Sequence, residues 1–571
     1  DNLGINWNIT TGLLWKTQFS LTRKITDTKR FLDPLSSKNT TPQTAENPSS
    51  GELNTSRGNE FYWDLSSTLS YNRSVEKHHI NLLLGVNARS AKTDNISASY
   101  RGFPSGVLSS PNYAEEIVSK PVSSDNSTRL IGFLGTLNYS YNDVYLLDAS
   151  VRMDGSSEFG ADKRFAPFWS AGTGVNIHNY GFMKGQTVID QLKIRVSYGQ
   201  TGKVNFPPYV ARTTYKMFTD GWYKTGFGGT LYALGNTNLT WETTNTWDAG
   251  VELSLWKRLL YVKASYYQKK TVDLVNSVTI PSSTGFTTYM DNIGEVENKG
   301  YELEFRSEVV RRKDLFVAVF ANLAHNENRI LKISESLKAY NDRVKDHFAN
   351  SNRFDGSNTQ PFTQYVEGGS QTSIWGVPSL GIDPATGEEI FIRPDGSITN
   401  TWNTNDQVVL GDTEPKIQGT FGLNATYKNL SLYMTFMYEA GGQIYNSTLR
   451  DKVEDVNVYT SNVDKRVFSE RWQEPGDKAR YRKLTSGVGG SIMRTRPTSR
   501  FVEDNNVLTL NSISLGYDFD AGQKWMKTIG LSMLRFEIGA NDVCRWSSVK
   551  VERGLNYPYA RSFNFSLKAA F

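Results

Sequence analysis

Ile417-Gln418-Gly419-Thr420-Phe421-Gly422-Leu423-Asn424-Ala425-Thr426-Tyr427, then Lys428-Asn429, then Leu430-Ser431-Leu432-Tyr433-Met434-Thr435-Phe436-Met437-Tyr438-Glu439 is the stretch that decides the fold. In the first run Ile417, Phe421, Leu423, Ala425 and Tyr427 alternate with Gln418, Thr420, Asn424 and Thr426. In the second, Leu430, Leu432, Met434, Phe436 and Tyr438 alternate with Ser431, Tyr433, Thr435 and Glu439. Successive side chains of an extended chain point to opposite faces, so each run has one apolar and one wet surface. Two such runs joined by a tight turn predict an antiparallel hairpin.

The same period of two recurs along the chain. Phe563, Phe565, Leu567, Ala569 and Phe571 oppose Ser562, Asn564, Ser566 and Lys568. Leu260, Val262, Ala264 and Tyr266 oppose Lys263, Ser265, Tyr267 and Lys269, and Tyr301, Leu303 and Phe305 oppose Glu302, Glu304 and Arg306. Tyr145, Leu147, Ala149 and Val151 oppose Asp148, Ser150 and Arg152; Leu82, Leu84, Val86 and Ala88 oppose Asn81, Asn87 and Arg89; Trp63, Leu65, Leu69 and Tyr71 oppose Asp64, Ser66 and Thr68. About nineteen such strands are expected, each near the ~10 residues that cross a bilayer obliquely.

An antiparallel sandwich alternates too, so the connections decide. Short ones (Ser74 to His78, Asn142-Asp143, Trp256 to Arg258, Arg311 to Lys313, Lys428-Asn429) alternate strictly with long ones (Asp27 to Asn59, Ser99 to Ser127, Lys203 to Asn236, Asn328 to Gly369, Asn446 to Asn506). Short periplasmic turns and long extracellular loops are the habit of outer-membrane barrels. The expected fold is therefore an all-β transmembrane antiparallel up-and-down β-barrel. With Phe571 at the periplasmic end, an odd strand count makes the first strand descend, so at least one upward strand is expected ahead of Asp1.

Composition agrees. The 571 residues are only 38% hydrophobic but 12% aromatic, with 29 Tyr, 29 Phe and 13 Trp. Mean hydropathy is −0.47, which suits a wet interior and aromatic girdles. A net charge of +5 without a Lys/Arg block argues against nucleic acid as a partner. The single cysteine, Cys544, excludes an internal disulfide. No window approaches the ~18 apolar residues of a transmembrane helix, and no signal peptide stands at Asp1-Asn2-Leu3.

A set of motifs resembles SusC/RagA-type TonB-dependent transporters of the Bacteroidetes. They are Arg195-Val196-Ser197-Tyr198-Gly199-Gln200-Thr201-Gly202, Asn238-Leu239-Thr240-Trp241-Glu242-Thr243, Tyr266-Tyr267-Gln268-Lys269-Lys270-Thr271 and Asn292-Ile293-Gly294-Glu295-Val296-Glu297-Asn298-Lys299-Gly300-Tyr301-Glu302. Gly381-Ile382-Asp383-Pro384-Ala385-Thr386-Gly387, Arg500-Phe501-Val502-Glu503-Asp504 and Tyr557-Pro558-Tyr559-Ala560-Arg561 complete the set, with Ala560 where proline is expected. Their collinear order is the specific part of the match. The resemblance implies a barrel of about 22 strands around a plug, so residues 1–571 are expected to be its C-terminal part, with plug, TonB box and signal peptide lying outside this chain. It further implies import of oligosaccharides or peptides across the outer membrane. The implied partners are a SusD-like surface lipoprotein, TonB through the missing N-terminal part, and the barrel-assembly machinery.

Candidate residues follow from chemistry. Trp222, Tyr223 and Phe227 in one outer connection, Trp402 in another and Trp472 in a third offer faces for sugar rings or peptide side chains, or simply pack their loops. Phe571 is the expected assembly signal, or else a girdle aromatic. Leu337, Tyr340, Val344 and Phe348 predict one short amphipathic helix within Ile330 to Asn350, either a docking site for the lid or a helix packed on its own loops. Glu302 with Glu304, or Asp148 with Asp154, share a strand face, as lumen carboxylates do without catalysis. His78, His79, His178, His325 and His347 show no metal spacing, and His78-His79 reads as a solvated turn. Asn403, Asn405, Asp406 and Asp412 lack the calcium-loop pattern, and Gly226-Phe227-Gly228-Gly229 reads as a flexible loop without a Walker lysine. No cofactor, metal or catalytic residue is expected. A passive porin or adhesion barrel, and an outer-membrane barrel enzyme, are the competing functions.

Overall fold

The computed structural model describes residues 1–39, 49–159, 163–204, 206, 209–224, 226–236, 239–279, 288–292, 294–350, 359–458, 462–484, 493–520, 522–549 and 561–571. Seventeen long strands, close to the expected number, carry the fold among these residues. Contacts divide the chain into two units: Asp1–Gly172 with Gly199–Thr243 and Val275–Asn292, and Thr173–Tyr198 with Thr244–Leu274 and Ile293–Phe571.

In the first unit the strands Asn2–Thr10, Leu13–Leu32, Ser50–Val75, His78–Phe103, Val122–Tyr141 and Tyr145–Ser156 pair antiparallel, each with the next. In the second, Leu260–Val272, Gly294–Arg311, Leu315–Ile333, Ile417–Tyr427, Leu430–Tyr445, Val502–Phe519, Met533–Ser547 and Ser562–Ala570 do the same. Phe165–Asn176, Ile189–Lys203 and Glu242–Leu255 are the remaining long strands.

Register aligns the predicted faces. Phe421 pairs with Phe436, their rings stacked at 5.0 Å and 9°, and the apolar row continues through Phe305, Ala321 and Leu510. On the other face Lys263, Glu304, Asn322, Thr420 and Met437 occupy one row. The apolar face stays open: Phe563, Phe565 and Leu567 are 63%, 71% and 68% exposed, the reverse of a water-soluble sheet. No helix among the described residues is long and apolar enough to cross a membrane, which leaves crossing by strands untouched.

The short turns are built as two-residue hairpins require. Asn142 and Asp143 both take φ 54°, and Lys428 takes φ 53°, the left-handed backbone that matches strand twist. Strict alternation of connection length does not hold, however. The described residues of 520–532 lie at the same end as Lys428-Asn429, where Asp518 N donates to Asn429 O at 2.9 Å, yet they carry a helix, Lys524–Thr528. At the end opposite Asn142-Asp143, only eight residues of sequence separate Ser156 from Phe165.

Several expected loops are strand. Ser50–Val75 and His78–Phe103 each run 26 residues, roughly 85 Å and far more than a bilayer needs. Pairing persists to Leu32↔Glu52 and Ser97↔Val122, well inside the connections expected at Asp27–Asn59 and Ser99–Ser127. Beyond lipid both faces are wet, so the ladder continues while the alternation that advertises it disappears. Likewise Gly226-Phe227-Gly228-Gly229, expected as a flexible loop, lies in a strand, Gly226–Ala233, paired with Thr214–Tyr223. His78 and His79 begin a strand, and their Nδ1 atoms lie 2.8 Å from Tyr139 Oη and Ser74 Oγ.

Candidate functional site

The polar face of the first unit holds a cavity of about 580 Å³. The register sets Asn87 beside Gly132 and Gly132 beside Asp154. A Cβ at Gly132 would stand 2.5 Å from both Asn87 Oδ1 and Asp154 Oδ1, so only glycine leaves room for the cluster. Arg152 Nε donates to Asp154 at 2.6 Å and its Nη2 to Asn87 Oδ1 at 3.3 Å. Arg89 lies 3.5 Å from Asp64 in the same wall. Asp148 instead accepts from Asn138 Nδ2 at 2.6 Å, so Asp148 and Asp154 serve different partners.

Trp241 reaches this cavity from the connection that precedes Glu242–Leu255. Its ring stacks on Phe159 at 4.6 Å, with Phe168 edge-on at 5.7 Å. Phe206, Leu239 and Val275 complete this small core. Glu242 accepts from Val275 N at 3.0 Å, and Asn292 Oδ1 from Thr240 N at 3.2 Å. The Asn238–Thr243 stretch therefore folds one outer connection onto the wall; Asn238 itself lies outside the described residues.

The second unit has a cavity of about 550 Å³ on its own polar face, lined by Lys263, Glu302, Glu304, Asn322, Thr420 and Glu439 among others. Arg306 holds Glu304 at 2.7 Å. Above it, Tyr267 Oη donates to Asn326 Oδ1 at 2.9 Å, and Asn326 and Asn328 both donate to Asn298 Oδ1, at 3.1 and 3.0 Å. Asn326 also bonds Glu414, while Asn328 Oδ1 accepts from Gln371 N at 2.9 Å. These asparagines clip the outer connections to the strand ends.

The described residues of the outer connections 370–415 and 446–506 fold around a buried charge network that sequence reasoning did not find. Arg500 Nη2 donates to Glu389 and Glu454, both at 2.8 Å. Arg482 reaches Asp455 at 3.0 Å, and Asp455 also accepts from Thr495 N at 2.7 Å. Arg471 is spent on backbone, donating to the carbonyls of Val467, Arg482, Val453 and Glu454. Burial by itself would push the Glu389 carboxyl up; the Arg500 charge, with hydrogen bonds from Arg500 and Thr498, more than reverses this, and the net shift is downward. Tyr445, Val453, Val467, Tyr481 and Phe501 supply the apolar core around it. Only the resemblance had drawn attention to Arg500-Phe501; charged residues are otherwise taken as solvated.

The helix runs Glu335–Asn350, with Leu337, Val344 and Phe348 buried. Phe348 packs against Phe362 and Trp402, at 5.5 and 5.4 Å, and Asn341 brackets the Tyr365 backbone. Trp402 donates its indole N–H to Pro497 O at 3.0 Å under the Arg496 guanidinium. Trp472 donates to Pro384 O at 2.9 Å and lies against Gly387 (φ +71°), where a Cβ would meet its ring at 2.5 Å. Asp383 caps this turn, accepting from Ala385 N and Thr386 Oγ1. Trp222 and Phe227 are cross-strand partners in their hairpin, but the side chains of Trp222, Tyr223 and Phe227 lie outside what the structure describes. The expected aromatics thus sit on separate connections. Phe571 follows the last strand and is 89% exposed; residues 557–560 lie outside the described residues. Asp412 accepts from Thr372 Oγ1 and Glu414 N, and Asn403 caps the turn at Thr404–Asp406. Among the described residues no three His, Cys, Asp or Glu stand together as metal ligands would.

Comparison with known proteins converges on one family. The family described as TonB dependent receptor-like, beta-barrel matches residues 1–446. TonB-dependent receptor P26 of Formosa agariphila is 28% identical over 500 residues, covering 86% of this chain and 49% of that protein. TonB-dependent receptor SusC of Bacteroides thetaiotaomicron is 27% identical over 406 residues, covering 68% of this chain and 38% of that protein. The solved RagAB peptide transporter superimposes with a TM-score of 0.81 at 22% identity, over 96% of this chain and 58% of that one. The chain therefore spans about half the length of the Formosa relative. Alternating strands, an open apolar face, a polar wall with cavities and this family match lead to one assignment: the chain belongs to the TonB-dependent receptor-like β-barrel family, of SusC/RagA type, and is outer-membrane barrel sequence.

Proposed function

We propose that this chain forms the pore wall of an outer-membrane importer that takes up oligosaccharides or peptides under a SusD-like lipoprotein lid, driven by TonB. The observation that carries this reading is the two-faced sheet: an exposed apolar face suited to lipid, and a polar face with cavities of about 580 and 550 Å³, within the roughly 300–1,000 Å³ of small-molecule sites. Binding and gated passage need no covalent step, and the carboxylates of both walls are engaged with Arg or Asn or stand singly. No nucleophile–base pair is invoked. The clipped outer connections, ordered by the Arg500 network, give a lid a firm surface to meet.

Uptake by cells carrying the intact receptor tests this. Loss of uptake on deleting the lid lipoprotein or collapsing the proton gradient supports energised import. Uptake that persists unchanged under both treatments identifies a passive porin.

A further inference from the structure

The lipid-facing side of the first unit can be followed row by row through its register. On His78–Phe103 it presents Ile80, Leu82, Leu84, Val86 and Ala88, and then Ser90. That climb is roughly 33 Å of strand and about 25 Å of height at the usual tilt, the thickness of a barrel's apolar band. Tyr139 and Tyr141, around His78, mark its lower edge, and Trp63 and Phe61 its upper edge, as interfacial aromatics do.

At the upper edge the chemistry changes within two rows. Leu21, Trp63, Ser90 and Arg129 form the first; Arg23, Phe61, Lys92 and Ser127 form the second. Arg23, Lys92 and Arg129 are all exposed. Register makes Lys92 and Arg129 diagonal neighbours, about 7–8 Å apart at their backbones, and sets Arg23 two strands from Lys92, about 10 Å away. Arg23 donates to the neutral Asn59 side chain at 3.0 Å, and neither arginine forms an ion pair among the described residues. Lys92 comes no closer than 3.9 Å to Asp94 and 4.0 Å to Asp125, both in the row farther out. Asp1, beside Leu21, makes no ion pair there either.

The second unit handles its charges differently. Just beyond its own girdle of Tyr266, Tyr301 and His325, the same face interleaves the two signs: Lys299 holds Glu327 at 3.5 Å, Lys270 holds Glu295 at 2.8 Å, and Glu297 pairs across strands with Arg329. A rim that only had to stay wet would be served by such pairs. Three cations without a carboxylate at hydrogen-bond range call for an anion from outside the chain.

We infer that Arg23, Lys92 and Arg129 form a site for the phosphorylated head group of an outer-leaflet lipid, the lipid A part of lipopolysaccharide, whose acyl chains lie on Leu21, Trp63 and Phe61. A guanidinium meets phosphate with parallel N–H donors, Lys92 adds a point charge, and the Ser90 and Ser127 hydroxyls on the same rows can donate as well. Depth agrees with this occupant. Lipid phosphates sit directly above the acyl chains, where Lys and Arg clusters hold anionic head groups; Asp94 and Asp125, one row higher, repel a phosphate that rides farther out. The site faces lipid and is independent of what the receptor imports.

The test is native mass spectrometry of the intact receptor in detergent, incubated with bisphosphorylated lipid A or with the same lipid after dephosphorylation, and with inorganic phosphate as competitor. The parent is expected to retain the phosphorylated lipid about tenfold more tightly than the dephosphorylated one, and millimolar inorganic phosphate is expected not to displace it. The combined change Arg23→Gln, Lys92→Gln and Arg129→Gln should abolish that preference, Arg129→Gln alone should reduce it about threefold, and Lys270→Gln with Lys299→Gln should leave it intact. Heat-modifiable mobility checks folding, and the single variant is read if the triple one does not fold. Equal retention of the two lipids by the parent, an undiminished preference in the Gln variants, an equal loss in the Lys270 and Lys299 control, or displacement by inorganic phosphate overturns the proposal.

Discussion

Tyr267 and Gly300 are cross-strand partners, and the tyrosine ring lies across the glycine. A Cβ at Gly300 would stand 2.7 Å from Tyr267 Oη and would also strike the His325 carbonyl. Glycine weakens a strand by itself; here the aromatic neighbour covers the gap and carries its hydroxyl to Asn326. Gly300→Ala is therefore expected to destabilise the folded barrel by about 1–3 kcal/mol, and Tyr267→Phe by about 1 kcal/mol through the lost hydrogen bond. Urea midpoints in detergent check both. A Gly300→Ala protein as stable as the parent would remove this explanation of the glycine.

The apolar row through Phe421 and Phe436 predicts a sharp asymmetry between faces. Leu432→Arg or Phe436→Arg should cost about 2–4 kcal/mol at mid-depth, while Thr435→Arg, on the wet face, should cost far less. Folding yield into lipid vesicles reads the difference.

The Arg500 network predicts acid sensitivity confined to the outer connections. Glu389 is held below the ordinary carboxylate range, so its contribution is complete above the unfolded value of about 4.3 and is lost as pH falls through the lower folded value. Pepsin cleavage within residues 446–506 should rise in that window, and Glu389→Gln should flatten the rise. Arg500→Met leaves two carboxylates buried and should cost about 3–5 kcal/mol, read as cleavage at neutral pH.

Trp472 closes the Gly381–Gly387 turn from the side. Trp472→Ala should speed proteolysis near Gly387 without changing membrane insertion, whereas Trp472→Phe should do so less. Equal rates for all three proteins would show that the indole does not brace the turn.

Legibility in the sequence followed the solvent on each face. Where one face meets lipid, as in Leu430–Glu439, alternation reported both strand and register. Where both faces are wet, as in Thr26–Arg30 against Asn54–Gly58, the same ladder left no trace. The Glu335–Asn350 helix was readable because Leu337, Val344 and Phe348 fall on one stripe. The wall cavity was not, because Asn87, Gly132 and Arg152 come from three strands and only register brings them together. Glu389, Glu454 and Arg500 escaped for a related reason: burial of a charge is decided by partners distant in sequence.

The central claim is that one side of these strands touches lipid and the other touches water. Single cysteines placed from Leu430 to Glu439, in a Cys544→Ser background, measure it through reaction with a membrane-impermeant maleimide in native outer membranes. The account predicts a period of two, with positions 431, 435 and 439 labelled and 432, 434 and 436 protected. Uniform labelling along the strand would contradict it.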